Sequence, residues 1–295
     1  MGEVMTLGDY ALRLNSQGAR VVPGRNETIW IEREFRALAR IPEFMTVPPC
    51  PGDVEAVLKD GRAVVATYNL EPDDSHPVNA WFYVCTDRTY AIERLSPPMR
   101  RNVRRGLNEL RIAPLSPDQL LTHGMQAFCD TRTRVGLSDG TPENFHQRFS
   151  QRVKCPAHVF LGAWKGDALA AFLSITEVDD WADIEGCFSR TDLLNSRPND
   201  SLMYTALSRY LIEEGRRLVS YGLSSAQSES NAQTLHVFKT KVGFQAIPMH
   251  RAFVFHPLLR PFVGRVTLGM IGLLLHIRPE SRWLKKADGI LRRVL

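Results

Sequence analysis

Apolar residues recur every three or four positions in some stretches of this chain, and every second position or in short continuous runs in others. The first pattern predicts helices and the second predicts strands. Up to about residue 95 the two are mixed. "VEAVLKDGRAVVATYNL" holds two short apolar runs around a Lys-Asp-Gly turn, and "VNAWFYVCT" is rich in strand formers. "SPPMRRNVRRGLNELRI" then reads as a helix opened by Ser96 and two prolines. "SPDQLLTHGMQAFCDTRTRVGL" follows as a helix with a glycine interruption. "TPENFHQRFSQRV" is a shorter helix, capped by Thr141 with Pro142 at its first position.

From His158 the period shortens. Three strands are expected at His158–Trp164, Ala168–Glu177 and Trp181–Ser189, joined by Lys-Gly-Asp and Val-Asp-Asp turns. "NDSLMYTALSRYLIEEG" is a helix, with Met203, Ala206, Leu207, Tyr210 and Leu211 on one face and Gly215 at its end. "RLVSYGLSS" is a short strand. "NAQTLHVFKTKVGF" is a helix from Asn231 as cap to Gly243, and "AIPMHRAFVFH" is a closing strand. The order β-β-β-α-β-α-β predicts an α+β fold, a mixed, mostly antiparallel sheet flanked by helices. One residue breaks the pattern. In the last helix Leu235, Phe238 and Val242 form the buried stripe and Lys241 points away from it, but Lys239 falls on the flank of the stripe.

The segment 257–295 is a third kind of sequence. The uncharged run Val266–Leu275 has ten residues, about half of the roughly 20 that span a bilayer. Eight basic residues face two acidic ones there, a charge of +6 in a chain whose net charge is +5. The basicity is therefore local and calls for an anionic partner at one place. Two readings follow: an amphipathic helix lying on a membrane surface, or a helix docked on the core with its cations in water.

Composition changes the picture little. The 295 residues suggest about two domains, and 44% hydrophobic with 23% charged residues is ordinary for a globular protein. Five scattered cysteines without a paired spacing suggest reduced thiols, and neither they nor the eight histidines have the spacing of a metal site. The first residues lack a basic stretch followed by an apolar core, so no secretory signal is expected, and Leu7 stands where a myristoylation motif needs Ser or Thr. No Gly-x-Ser-x-Gly string supports a hydrolase. In the strand "WADIEGCFS", Glu185 is a candidate base, placed opposite Ile184 by the two-residue period, with Asp183 sharing its face. Arg100, Arg101, Arg104 and Arg105 form a basic strip on one helix, and Arg132 and Arg134 lie nearby. They fit either phosphate gripping or a solvated face paired with Glu93 and Glu109.

The element order from Ala157 to Phe255 resembles the GNAT N-acyltransferase fold, whose fifth strand is followed by a helix opened by Asn and closed by Gly-Phe. Lys239 stands where ordinary members have tyrosine. The Phe-Lys pair before Gly-Phe is similar instead to the FemAB-like branch, as is the arginine-rich "MRRNVRRGLNEL". The resemblance implies a degenerate first GNAT-like half (1–112), a complete acyltransferase half (113–256) and a basic amphipathic tail (257–295). It implies an anion-binding role for Lys239 beside the alternative of a lysine snorkelling to water. It places the donor's pyrophosphate at the helix start "NSRPNDSL", with Arg197, Asn199, Ser201 and Asn231 as contacts and Asp200 as a competing cap.

The implied catalytic pair is Glu185 and Lys239. The implied acceptor contacts are Arg101, Arg104, Arg105 and Arg134. The expected activity is acyl transfer to an amine of a cell-envelope, glycolipid or polysaccharide precursor. Acyl-CoA would be the donor co-substrate, with no permanently bound cofactor and no metal. The alternatives are a tRNA-dependent aminoacyltransferase or a non-catalytic membrane scaffold. The expected location is cytoplasmic, with the tail at the inner face of the membrane.

Overall fold

Contacts divide the chain into two interleaved units. A terminal unit comprises Leu7–Trp81, Ser224–Glu229 and Pro248–Leu295, and a central unit comprises Met1–Thr6, Phe82–Leu223 and Ser230–Ile247. The division does not follow linear borders at residues 112 and 256. The computed structural model describes residues 4–25, 28–50, 52–137, 139–224, 229–279 and 281–294, without the side chains of 34, 229–233, 282 and 293.

The terminal unit begins with α1 (Leu7–Ser16), β1 (Val21–Pro23), β2 (Ile29–Arg33), β3 (Ala37–Ile41), α2 (Asp53–Asp60) and β4 (Val65–Leu70). The first three strands form an antiparallel meander, and β4 then lies parallel to β3. A parallel step needs a crossover, which α2 provides. The two apolar runs expected around Lys-Asp-Gly are thus a helix and a strand. Val54, Val57 and Leu58 stand at i, i+3 and i+4, and they pack on Trp30, Leu38 and Ala66.

The central unit contains β5 (Ala80–Cys85), α3 (Pro97–Glu109), β6 (Arg111–Pro114), α4 (Pro117–Arg134), α5 (Pro142–Arg152), β7 (His158–Lys165), β8 (Ala168–Val178) and β9 (Trp181–Ser189). They are followed by α6 (Pro198–Ser208), which runs on into a π-helical turn, then β10 (Leu218–Leu223) and α7 (Glu229–Lys241). Strands β6 to β9 form an antiparallel meander, β10 is parallel to β9, and β5 closes the sheet antiparallel to β10. The three strands expected from His158 onward are thus present within a residue or so of their expected ends.

The last elements are β11 (Gln245–Phe255), α8 (Arg265–Ile277) and α9 (Arg282–Val294). Strand β11 closes the terminal sheet, antiparallel to β4 from His250↔Leu70 to Phe255↔Val65. Both sheets therefore share one plan: an antiparallel meander, one parallel step and an antiparallel closing strand. Each takes its closing strand from the other half of the sequence, which is why the units interleave. The α+β fold with a mixed, mostly antiparallel sheet is as expected from the sequence. The tail is two helices where one was expected, because Pro279 cannot continue α8.

Two apolar layers hold the central sheet. On one face Met99 and Val103 of α3, Leu202, Met203 and Leu207 of α6, and Val242 after α7 pack against Leu173, Ile175 and Ile184. On the other, Phe128, Phe145 and Phe149 of α4 and α5 meet Phe160, Phe172 and Phe188, with Phe172 and Phe188 stacked at 4.9 Å.

Helices α3 and α6 touch through Gly106. A β-carbon there would lie 2.7 Å from Ser201 Cβ and 2.8 Å from the Arg197 carbonyl oxygen. Gly106→Val is expected to lower stability by about 1–3 kcal/mol, read as a lower urea midpoint at unchanged slope.

Candidate functional site

The pairing between β8 and β9 contains one extra residue. Ser174 pairs with Gly186 but Ile175 with Ile184, so Glu185 is a bulge. The bulge reverses the parity of the strand. Ile184 packs against one core layer, whereas Phe188, which plain alternation would put beside it, belongs to the other. The expectation that strict alternation sets the faces of this strand fails at Glu185 for that reason.

The partner on the other side also departs. Strands β9 and β10 pair only from Leu218↔Trp181 to Ser220↔Asp183, although β9 continues to Ser189 and β10 to Leu223. Beyond Ser220 the two strands part. Tyr221 follows immediately, then Gly222 at φ 62°, a left-handed conformation that favours glycine.

Lys239 of α7 belongs to this parting. Its side chain is only 2% exposed. The ammonium donates to the Tyr221 carbonyl oxygen at 2.6 Å. It sits 4.1 Å from the centre of the Tyr83 ring and 4.4 Å from that of Tyr221. Ring faces are negative, so they favour the cation. Burial dominates all the same and lowers the Lys239 pKa from 10.5 to about 8, and the nearby Asp183 carboxylate partly opposes the shift. A lysine that snorkels to water is therefore excluded. The anomaly in the periodicity is a buried ammonium that titrates near neutral pH.

The surroundings extend the cluster. The Tyr83 hydroxyl is 2.9 Å from His236 Nδ1, one turn before Lys239 on α7. Burial raises the Tyr83 and Tyr221 phenols, and the Cys187 thiol raises Tyr221 further. Cys187 itself is pushed up to about 12, mainly by burial and then by Asp200, and its Sγ donates to Asn199 Oδ1 at 3.3 Å. Ser220 donates to Asp183. Tyr83, Tyr221 and the role of Asp183 escaped the sequence reading, because a tyrosine in a strand looks like ordinary core. The signal that could have found them is that a lysine on a buried stripe needs aromatic or acidic company.

The other expected site residues fall elsewhere. Glu185 accepts from the Thr176 hydroxyl at 2.9 Å and forms an ion pair with Arg152 of α5. Both carboxylate oxygens are thus engaged by other residues. At the start of α6, the cap position is Arg197 in a left-handed conformation, without a side-chain cap, and Asp200 lies inside the first turn. Asp200 is buried, which raises its pKa, while Arg197 and a hydrogen bond from Asn102 pull it down. The Ser201 hydroxyl is fully buried and donates to the carbonyls of Arg197 and Pro198. The first turn, where a pyrophosphate would rest, thus carries a buried carboxyl, Asp200, while Ser201 turns its hydroxyl to backbone carbonyls. Only Arg197 there is an exposed cation, and Asn199 faces Cys187.

Arg104 reaches Glu93 at 3.9 Å and Arg105 reaches Glu109 at 2.7 Å, while Arg101 is exposed. Arg134 binds Ser189 and Thr191 at the end of β9. Helix α7 begins at Glu229, so Asn231 lies within it rather than capping it, and the Asn231 side chain falls outside the described residues. Among the described residues no three His, Cys, Asp or Glu side chains are grouped to hold a metal.

The overall arrangement has counterparts among solved structures. A crystal structure of FemX superposes with a TM-score of 0.60 at 9% identity, covering 88% of this chain and 94% of that one. The fold is that of FemX. The likeness is one of fold, and it agrees with the FemAB-like resemblance of the sequence motifs. The C-terminal domain of an Agrobacterium fabrum protein assigned as a lysylphosphatidylglycerol synthetase gives 0.54 at 13% identity, over 82% of this chain and 86% of that one. L-PGS from Bacillus licheniformis gives 0.52 at 10% identity, over 87% and 93%. No family model matches the chain, and no curated protein sequence matches it.

Lys239 predicts an alkaline signature. Its pKa is lower folded than unfolded, so the unfolded chain holds more protons between about pH 8 and 10.5. Stability then rises with pH across that window, by about 3 kcal/mol for a shift of this size. Lys239→Met is expected to abolish that rise. Urea titrations of both proteins from pH 7 to 10.5 measure the difference.

Proposed function

We propose that this chain transfers an acyl group from an activated donor to an amine, with Lys239 as the group that meets the charge formed at the reacting carbonyl. The observation that carries the reading is the buried, tyrosine-caged ammonium where β9 and β10 part, in a fold shared with FemX. A packed protein has no structural need of such a group, since burying a charge costs free energy unless something uses it.

The chemistry is a displacement. The neutral acceptor amine attacks the donor carbonyl carbon, a C–N bond forms, and negative charge collects on oxygen. The C–S or C–O bond to the leaving group then breaks. The departing thiolate or alkoxide takes a proton, and the amine releases one to solvent. A protonated Lys239 stabilises the oxyanion and can supply the leaving group's proton, because its pKa of about 8 makes it a far better acid than an ordinary lysine. No covalent enzyme intermediate is required. Cys187, which acts on the Tyr221 phenol, is held protonated with a pKa pushed up to about 12.

For the donor, a coenzyme A thioester suits GNAT-type folds. One observation favours a second reading, an aminoacyl ester such as a charged tRNA: Asp200 puts a buried carboxyl in the first turn of α6, where it would repel a pyrophosphate. An amine on a cell-envelope, glycolipid or polysaccharide precursor is the acceptor class. One structural neighbour carries the name lysylphosphatidylglycerol synthetase, which favours a lipid-bearing acceptor.

Incubating the protein with acyl-CoA or with aminoacyl-tRNA, and detecting acylated amine by mass spectrometry, separates the two donors. Lys239→Met should lower kcat about a hundredfold to ten-thousandfold with folding intact. The wild-type rate should fall above about pH 8, where Lys239 loses its proton. In Lys239→Arg that alkaline limb should vanish, since arginine stays charged. Unchanged turnover in Lys239→Met would remove Lys239 from the chemistry, and no turnover of the wild type with either donor would leave the scaffold reading.

A further inference from the structure

The two tail helices bury one side and leave the other bare. Ile271 of α8 packs on Leu284 and Leu291 of α9, with Phe255, Val263, Leu268 and Leu275 around them. Arg260 bonds Glu55, and Lys286 lies 5.3 Å from the Phe35 ring, so the hairpin is fastened within the terminal unit. On the opposite side of α8, Val266, Met270, Leu273 and Ile277 are 79%, 60%, 67% and 69% exposed. Their spacing of i, i+4, i+7 and i+11 places all four in one narrow stripe. Phe262 before α8 and Trp283 at the start of α9 are also exposed, at 68% and 54%.

Six large apolar side chains in the open on one short hairpin exceed the scattered exposure normal for a soluble surface. The charge beside them says what covers them. The segment from Pro257 onward carries +6. Arg265 and Arg292 edge an open groove of about 600 Å³ floored by Leu268, Gly269 and Gly272. Arg292 also holds Asp288 at 2.7 Å. Two copies of this chain meeting through the stripe would press like charges together, which disfavours a symmetric dimer. An anionic lipid surface satisfies both features at once: acyl chains receive the stripe, and phosphates receive the arginines.

We propose that the α8–α9 hairpin lies in the interface of an anionic membrane, with Phe262, Val266, Met270, Leu273 and Ile277 inserted and Arg265 and Arg292 at headgroup level. Ile271, Leu284 and Leu291 stay packed inside the hairpin. It lies on the bilayer and does not cross it; no helix among the described residues is long and apolar enough to span one. The proposal stands apart from the acyl-transfer reading, since none of these residues belongs to the Lys239 cluster.

The test is co-sedimentation of the full chain with phosphatidylcholine vesicles, with and without about 30% phosphatidylglycerol, at low and high salt. Binding to the anionic vesicles should be about tenfold stronger than to the neutral ones and should weaken with salt. The double variant Met270→Glu/Leu273→Glu, at exposed positions, should lose binding about tenfold while keeping its urea midpoint and its soluble-substrate turnover. Trp283 emission should shift to shorter wavelength on binding, a change absent in Trp283→Phe. Failure to bind anionic vesicles overturns the proposal, and so does binding unaffected by the double variant. A wild-type dimer that this variant converts to monomer, without vesicle binding, would assign the stripe to a second copy instead.

Discussion

A single buried ammonium, that of Lys239, sets the constraint where β9 and β10 part. Lys239 cannot be hydrated where it lies, so the protein surrounds it with the Tyr221 carbonyl, two ring faces and, farther off, the Asp183 carboxylate. None of these is a full ion-pair partner in contact, which is why burial wins and the pKa falls. A tighter carboxylate would have stabilised the charge and left an ordinary lysine, charged through the whole physiological range. Tyrosine faces hold the cation more weakly and leave its proton loose. The compromise destabilises the native state, and positions that weaken a fold in this way are where chemistry is found.

The cage exists because two strands stop pairing. The bulge at Glu185 turns the end of β9, and the loss of register beyond Ser220↔Asp183 frees Tyr221 to present both its carbonyl and its ring to α7. A sheet that remained paired to the end of β9 would have used that carbonyl in its own ladder, and Lys239 would have had no acceptor. Local irregularity in the sheet and the unusual titration of the lysine are two sides of one arrangement. Glu185, the bulged residue, serves the backbone geometry and an ion pair with Arg152.

Much of this was legible in the residues. The strands from His158 to Ser189, the helices opened by Ser96-Pro97 and Thr141-Pro142, and the oddity of Lys239 all follow from period and capping, which are local. What escaped was non-local. Strict alternation put Glu185 opposite Ile184 but could not see the extra residue that re-aims the rest of the strand, since a bulge depends on the partner's register. The family resemblance put an anion cradle at the α6 start, with Asp200 as a competing cap. Only packing against Gly106 and Asn102 of α3 shows that the polar groups of Asp200 and Ser201 turn inward. The arginine strip left two readings open, and the pairs Arg104–Glu93 and Arg105–Glu109 favour the solvated one.

The exchange of closing strands has a consequence for how such a chain is made. Strand β4 finishes at Leu70, but the strand that covers its edge begins at Gln245. During synthesis the early meander emerges with a bare row of amides and carbonyls, a hazard for association with other chains. It must wait until most of the polypeptide has left the ribosome. Severing the gene between β5 and α3 would likewise give two fragments that each lack a strand, so neither part is a portable module despite the repeated plan.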